Sequence, residues 1–364
     1  MAATRCESAG SSSSSAYNMN VPNHIAIVGA GVIGVTSALA VQQAFPAAEV
    51  TIFSEIFSPY TTGDGSAGLW SPFVLENTDP TKILRWSTLT HRWMENFWKK
   101  GLAADIGLCL LPLYRVTHEP EGYPLPDWAS AAYGAYELSD DELESFNKRH
   151  KSKYGGAIHF VTYTCESTKL LPWLMEKFKQ SNGKIVERKV QSLENLYHEG
   201  YDVIINCTGM GSRDLLKDKS LVPVRGQVTR VKGPWLFEVM LEEDGDGNYV
   251  IPNVDTVILG GTKQKGDFDI SVREDDLSAI RVGCERMYPS INKCQELTHW
   301  VGLRPVRKEV RLEKETVSYS DSKNLTIIHN YGHGGSGVTL CWGCALDVVQ
   351  ILQQHCEIKN LSKK

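Results

Sequence analysis

Several things are scarce in this sequence, and each scarcity removes a class of function. No apolar run reaches membrane-spanning length without interruption, so no membrane partner is expected. There is no long basic run, and the net charge over 364 residues is only -5, so nucleic acid is not an expected partner either. Residues 1–20 are rich in serine but lack the apolar core of a secretory signal and the repeated arginines of a transit peptide. Residues 1–22 therefore read as a disordered tail. Nine cysteines without a secretory signal point to a reducing compartment and free thiols. Cys341-Trp342-Gly343-Cys344 has the spacing of a redox or zinc pair, but no second pair completes a zinc site. These two cysteines read as small buried residues at a helix start. The acidic residues 244–248 lack the glutamate that would close a calcium loop, so no metal is expected.

What is present begins with one stretch. His24-Ile25-Ala26-Ile27-Val28 runs into Gly29-Ala30-Gly31-Val32-Ile33-Gly34, after which apolar residues resume through position 43. The order reads as strand, tight turn and helix. Gly29 turns the chain out of the strand, Gly31 clears the backbone for a pyrophosphate, and Gly34 lets the helix pack close to the sheet. The helix N-terminus offers unpaired N–H groups and partial positive charge to phosphates. A second apolar run ends in Glu55, about 20 residues past the last glycine, where a carboxylate accepts hydrogen bonds from an adenosine ribose. Together these imply an adenine dinucleotide and leave nicotinamide or flavin open.

Residues 58–70 are too rich in glycine and hydroxyls for a regular element. They read either as a solvated turn or as a loop that approaches a flat ligand and donates hydrogen bonds through Thr61 and Thr62. Residues 81–100 have the spacing of an amphipathic helix with tryptophans in the core, 108–117 read as a strand, and Ser139 with Glu142 forms a capping box. A helix at 166–180, a strand at 183–190 and a fully buried strand at 201–209 follow, the last placing Thr208 near the cofactor. Residues 222–262 read as antiparallel strands around the acidic turn 242–248, a hairpin or a mobile lid. A second strand, glycine loop and helix come near the end, around Tyr331-Gly332-His333-Gly334-Gly335-Ser336-Gly337-Val338-Thr339. One ligand clamped by both ends of the chain is the economical reading.

Five motifs then identify a resemblance: Val28 through Gly34, Thr61 through Trp70, Asn206-Cys207-Thr208-Gly209, Gly302-Leu303-Arg304-Pro305-Val306-Arg307, and Tyr331 through Gly337. In this order the chain resembles the D-amino-acid oxidase family, and its aspartate-oxidising branch most. The resemblance runs from about position 24 to 354. It implies an α/β fold with a discontinuous, Rossmann-like FAD-binding domain (residues 23–74, 165–219 and 305–357). The inserted substrate domain, largely antiparallel α+β, would comprise residues 75–164 and 220–304. It also implies FAD as cofactor, a D-amino acid and oxygen as reactants, and an imino acid and hydrogen peroxide as products.

Carried over by position, the resemblance puts Gly29, Ala30, Gly31, Val32, Ile33, Gly34, Glu55, Ile56, Thr61, Thr62, Gly68, Leu69, Val190 and Thr208 on the FAD. It lays Gly334, Gly335, Ser336, Gly337, Val338 and Thr339 against the flavin ring, where backbone N–H groups stabilise negative charge. Arg304 is implied as the fork that fixes the substrate α-carboxylate, Tyr249 as a second donor to it, and the Gly335 carbonyl as acceptor for the amine. His333 reads as a structural hydrogen-bonding residue, because hydride transfer from a neutral amine needs no protein base.

Lys263 stands where the aspartate-oxidising branch has an arginine for the side-chain carboxylate. The lid of that branch carries another arginine, whereas Glu242, Glu243, Asp244 and Asp246 stand here and would repel a dicarboxylate. An oxidase of neutral D-amino acids is the alternative, and a flavin-binding sensor or scaffold without activity the third. The terminal Ser362-Lys363-Lys364 departs from the Ser-Lys-Leu peroxisomal address; a peroxisomal location is the expectation, with cytoplasm the alternative. Oligomeric state, including a homo-oligomer, is left open.

Overall fold

The structure, a computed structural model, describes residues 22–245, 247–318 and 324–361. The expected tail before Pro22, Asp246 and the C-terminal Ser362-Lys363-Lys364 lie outside the described residues.

Four strands form the cofactor side: β1 (His24–Val28), β2 (Glu49–Ser54), β7 (Val203–Asn206) and β14 (Asn324–His333). They lie parallel in the order β14-β7-β1-β2, with Val28 opposite Phe53 on one side and Asn206 on the other. Parallel strands covered on both faces must be apolar throughout, and Ile25, Ala26, Ile27 and Val28 are all buried. β6 (Lys184–Glu187) extends this side beyond β2, shorter than the 183–190 expected; Val190 falls in the following loop.

One sheet nonetheless runs through the whole molecule. β14 pairs antiparallel with the 24-residue β13 (Gln295–Ser318), and β13 pairs antiparallel with β8 (Val222–Lys232). Beyond β8 come β11 (Val257–Gly260), β10 (Tyr249–Pro252) and β9 (Val239–Glu242), then β3 (Leu108–Thr117), β5 (Gly156–Cys165) and β4 (Tyr133–Glu137), while the two-residue β12 (Gln264–Lys265) pairs with β8 off this order. The neighbours from β8 to β9 are antiparallel, while β9 lies parallel to β3. β13 carries the chain past positions 304 and 305 without interruption, so Arg304 and the cofactor strand β14 are tied to one rigid element.

The helix Val32–Ala44 is buried along most of its length, as its nearly all-apolar sequence requires. It packs against Gly337–Leu361 and Ser167–Gln180. Pro80–Lys99 covers the last helix from outside; Asp79 caps it by accepting from the Thr81 N–H at 2.8 Å, and Trp86 is buried. The capping box at Ser139 opens the helix Asp140–His150, with Glu142 accepting from the Ser139 N–H at 2.9 Å.

Candidate active site

A cleft of about 640 Å³ runs along the carboxyl ends of β1, β2, β7 and β14 and on into the antiparallel region. Ligands of open α/β sheets bind at such ends. The three glycines after β1 divide their work as the spacing demands. Gly29 has φ 108°, and a Cβ there would stand 2.5 Å from the Cys207 carbonyl oxygen; one on Gly34 would stand 1.9 Å from the Gly29 oxygen. A Cβ on Gly31 would meet nothing within 4 Å, so that glycine alone leaves room for a ligand. Gly31 N-caps the following helix without a side-chain hydrogen bond, and the first turn has no acid, as an anion site requires.

The second glycine turn closes on the first. Gly334 has φ 55° and backs onto the Val74 carbonyl, a Cβ on Gly335 would meet Phe73, and a Cβ on Gly337 would lie 3.4 Å from Val32 Cγ1. The two turns touch, so one molecule can contact both. His333 beside them is buried, and its Nε2 has no partner among the described residues. Burial holds this imidazole near a pKa of about 3, so it is neutral and keeps one ring nitrogen for a ligand. The sequence suggested a structural hydrogen bond for it, which is not what this side chain makes. The opening at Gly31, the uncapped helix and this unpaired nitrogen together fit an FAD.

All but three of the expected cofactor residues line the cleft, the exceptions being Gly34, Ser336 and Thr339. Gly34 lies under the turn. Ser336 Oγ accepts from the Phe73 N–H at 2.7 Å and donates to the Phe73 carbonyl at 2.8 Å, while its own N–H goes to the His333 carbonyl at 2.9 Å. Thr339 Oγ1 accepts from the Ser71 N–H at 3.2 Å. Both residues therefore brace the 69–73 segment rather than the cleft wall. Thr61 also differs: its hydroxyl donates to Asp64 Oδ2 at 2.6 Å, and its N–H to the same oxygen at 2.9 Å. That proton is not free for a ligand. Asp64, which is buried and also accepts from Ser58 Oγ at 2.6 Å, went unrecognised in the sequence; its signal was an acid three residues after a hydroxyl. Glu55 lines the cleft half-exposed, with Lys189 Nζ at 3.1 Å.

At the other end, Arg304 projects from β13, where it pairs with Val224 of β8. Its guanidinium lies against Gly226, whose Cβ would stand 2.5 Å from Cζ, and its Nη1 donates to the Thr262 carbonyl at 2.9 Å. Among the described residues no carboxylate comes within 4 Å of Arg304 or of Lys263. Both face one ring that sequence reasoning missed: Phe73 has Arg304 Cζ 5.6 Å and Lys263 Nζ 5.8 Å from its centroid. The Tyr249 ring lies over Gly260, and burial raises its phenol pKa against the opposing pull of Arg304.

The acidic lid is corrected by its partners. Glu242 accepts from Arg286 Nη2 at 2.5 Å, Glu243 from Arg115 Nε at 2.6 Å, and Asp244 from Thr117 Oγ1 at 2.6 Å and the His118 N–H at 2.7 Å. The Glu243 N–H also donates to the Val116 carbonyl at 2.9 Å. The described acids are compensated or hydrogen-bonded, so they present no bare negative field to a dicarboxylate. The segment is fastened to β3 and its neighbours rather than hanging as a mobile lid. Cys341 and Cys344 are fully buried, with burial pushing the Cys341 thiol up to about 12 and Cys344 well above the usual range, as small core residues should be.

The model of the FAD dependent oxidoreductase family matches residues 24–351. The chain is 37% identical to the D-amino acid oxidase of Dugesia ryukyuensis, covering 90% of this chain and 97% of that one. It is 34% identical to the D-aspartate oxidase of Homo sapiens, covering 91% and 94%. Glycine oxidase from Geobacillus kaustophilus shares the fold, with a TM-score of 0.71 at 18% identity over 91% of this chain and 95% of that one. The chain belongs to the D-amino-acid oxidase family of FAD-dependent oxidoreductases, and FAD is its cofactor.

Proposed function

We propose that the protein oxidises acidic D-amino acids, D-aspartate first and D-glutamate second, giving the imino acid and hydrogen peroxide. The imino acid then hydrolyses to a 2-oxo acid and ammonia. The observation that carries this reading is the pair of cations, Arg304 and Lys263, that have no carboxylate partner among the described residues and face one apolar ring. Two charges left uncompensated in a cleft are costly unless an anion arrives to meet them, and a dicarboxylate meets both. The relative named D-aspartate oxidase supports it.

FAD, when bound, supplies the two-electron acceptor for the hydride from Cα and returns the electrons to oxygen. The chain supplies orientation. Arg304 Nη2 and Nε hold the α-carboxylate, with the Tyr249 hydroxyl as a further donor, and the Gly335 carbonyl accepts from the amine. A forked guanidinium fixes the carboxylate in plane, and so fixes which face of Cα is presented. Lys263 meets the distal carboxylate as a point charge. Phe73 keeps water from the space between the two cations. Neutral His333 takes no proton from the substrate in this scheme.

A second reading, an oxidase of neutral D-amino acids, is favoured by the apolar Phe73 wall and by the relative named D-amino acid oxidase. Peroxide release from the purified holoenzyme offered D-aspartate, D-glutamate, D-alanine and D-proline decides between them. Turnover of D-alanine and D-proline alone would establish the second reading, and no peroxide from any of the four would remove both.

A further inference from the structure

We propose that Arg115 reads the substrate side chain, and that Glu243 sets how strongly it does so; this rests on the acidic-substrate reading above. Arg115 comes from β3, an element that none of the expected site residues occupies. Its side chain is only 4% exposed, yet it lines the cleft. A buried guanidinium is stable only if its charge and its donors are met. Here the meeting is incomplete. Nε donates to Glu243 at 2.6 Å and Nη1 reaches Ser71 Oγ at 3.3 Å, while Nη2 has no partner among the described residues. The rings of Tyr123 and Trp128 lie 5.2 and 5.3 Å from Cζ and hold the plane of the fork.

Two links tie this fork to the substrate end. Ser71 stands two residues before Phe73, the ring that Arg304 and Lys263 face. Glu243 stands four residues before Gly247, where a Cβ would lie 3.2 Å from Lys263 Nζ. Lys263 gives the distal carboxylate a charge without a planar pair of donors, and Arg115 has a terminal N–H pair left to give. Glu243 cancels most of the arginine charge, which keeps the cleft from excluding uncharged side chains. The acids that looked like a barrier to aspartate thus include the counter-charge of the residue that recognises it.

The test uses holoenzyme carrying Glu243→Gln, and the double variant Arg115→Met with Glu243→Gln, which removes both charges at nearly constant shape. The readouts are the ratio of kcat/KM for D-aspartate to that for D-alanine, and the dissociation constants of succinate and propionate from perturbation of the flavin absorption. A unit charge uncovered several ångströms from a carboxylate is worth about tenfold or more at the effective dielectric of a protein cleft. Glu243→Gln should therefore raise the ratio, and the preference for succinate over propionate, about tenfold; the double variant should take both below the wild-type values. Unchanged ratios in both variants, with flavin still bound, would overturn the role of Arg115 and leave a structural ion pair. A wild type that turns over only D-alanine removes the acidic-substrate reading, while the succinate and propionate constants still decide whether Arg115 meets a second carboxylate.

Discussion

The two ends of the cleft are built on different principles. At the nucleotide end the wall is backbone: Gly29 and Gly34 are forced by carbonyls within 2.5 Å of where a Cβ would sit, and Gly31 opens onto free space. The cations there are paired or at the surface, as with Lys189 on Glu55 and Arg188 on Glu199. At the substrate end the wall is side chain. Arg304, Lys263, Tyr249, Phe73 and Arg115 arrive from separate stretches of sequence, and two of the cations have no carboxylate within reach among the described residues. A site made of backbone binds whatever fits its shape, whereas one made of uncompensated charges binds what cancels them.

The largest effect expected from breaking this division is at Arg304. Arg304→Ala should lower kcat/KM for D-aspartate by about 10³-fold, the scale of a truncated buried charge that holds a carboxylate. The flavin content of the purified protein should not change, because Arg304 bonds to the Thr262 carbonyl and not to either glycine turn. Loss of the yellow colour together with activity would mean that the two ends are one structural unit.

The next effect is at the other end. Gly31→Val should weaken FAD binding by about 10²-fold, since the side chain would enter the space kept for a ligand, yet leave the thermal midpoint of the apoprotein unchanged. Gly34→Ala should do the opposite first, lowering the apoprotein midpoint because its methyl would overlap the Gly29 carbonyl. Titration of each apoprotein with FAD, beside its thermal melt, separates the two roles. If both glycines behaved alike, the turn would be a packing device alone.

The same contrast explains what could be read from the chain beforehand. Glycine spacing is a local signal, because the clash that requires Gly34 comes from Gly29 only five residues away, so strand, turn and helix were legible. The carboxyl-end placement of Thr208 and of the second glycine turn followed from apolar strands ending in small residues. Charges are not local in this way. Glu243 reads as a repelling acid until Arg115, 128 positions earlier in the chain, is found against it. The hydroxyls of Ser336 and Thr339 likewise carry no sign in the sequence that they hold Phe73 and Ser71. Phe73 carries no motif, and its importance comes from two cations that β13 and the 261–263 segment bring to it.

A smaller effect sharpens the substrate end itself. Lys263→Met should raise KM for D-aspartate about tenfold and leave KM for D-alanine as it was, because one solvent-reachable charge at a carboxylate is worth about 1.4 kcal/mol. Steady-state peroxide kinetics with the two substrates measure it. Equal changes for both would place Lys263 in the fold of the lid, where Gly247 approaches it, and not in recognition.

The smallest effect compares two buried histidines and is read in stability. His333 at the cofactor turn and His91 on the buried face of the Pro80–Lys99 helix are both buried, and each has an Nε2 without a partner among the described residues. Burial lowers their pKa values to about 3 and about 4, Glu95 opposing the shift at His91. In the unfolded chain each titrates near 6.5, so below that pH the unfolded state binds more protons than the folded one. Stability is therefore complete above pH 6.5 and falls as the pH drops toward 4, by at most about 1.4 kcal/mol per pH unit for each histidine. Lowered carboxylates add their own loss mainly near and below pH 4, while burial also lowers His150, His159 and His329, which titrate in the same interval, so the share of His333 is the difference between wild type and its variant. Urea unfolding of the apoprotein at pH 7.5, 6.5, 5.5 and 4.5 should show this slope, and His333→Asn should reduce it. Saturation with FAD should flatten it further if a ligand acceptor meets the free nitrogen of His333, whereas the share due to His91, which packs edge-on against Trp70 and tilted against Tyr163 away from the cleft, should stay.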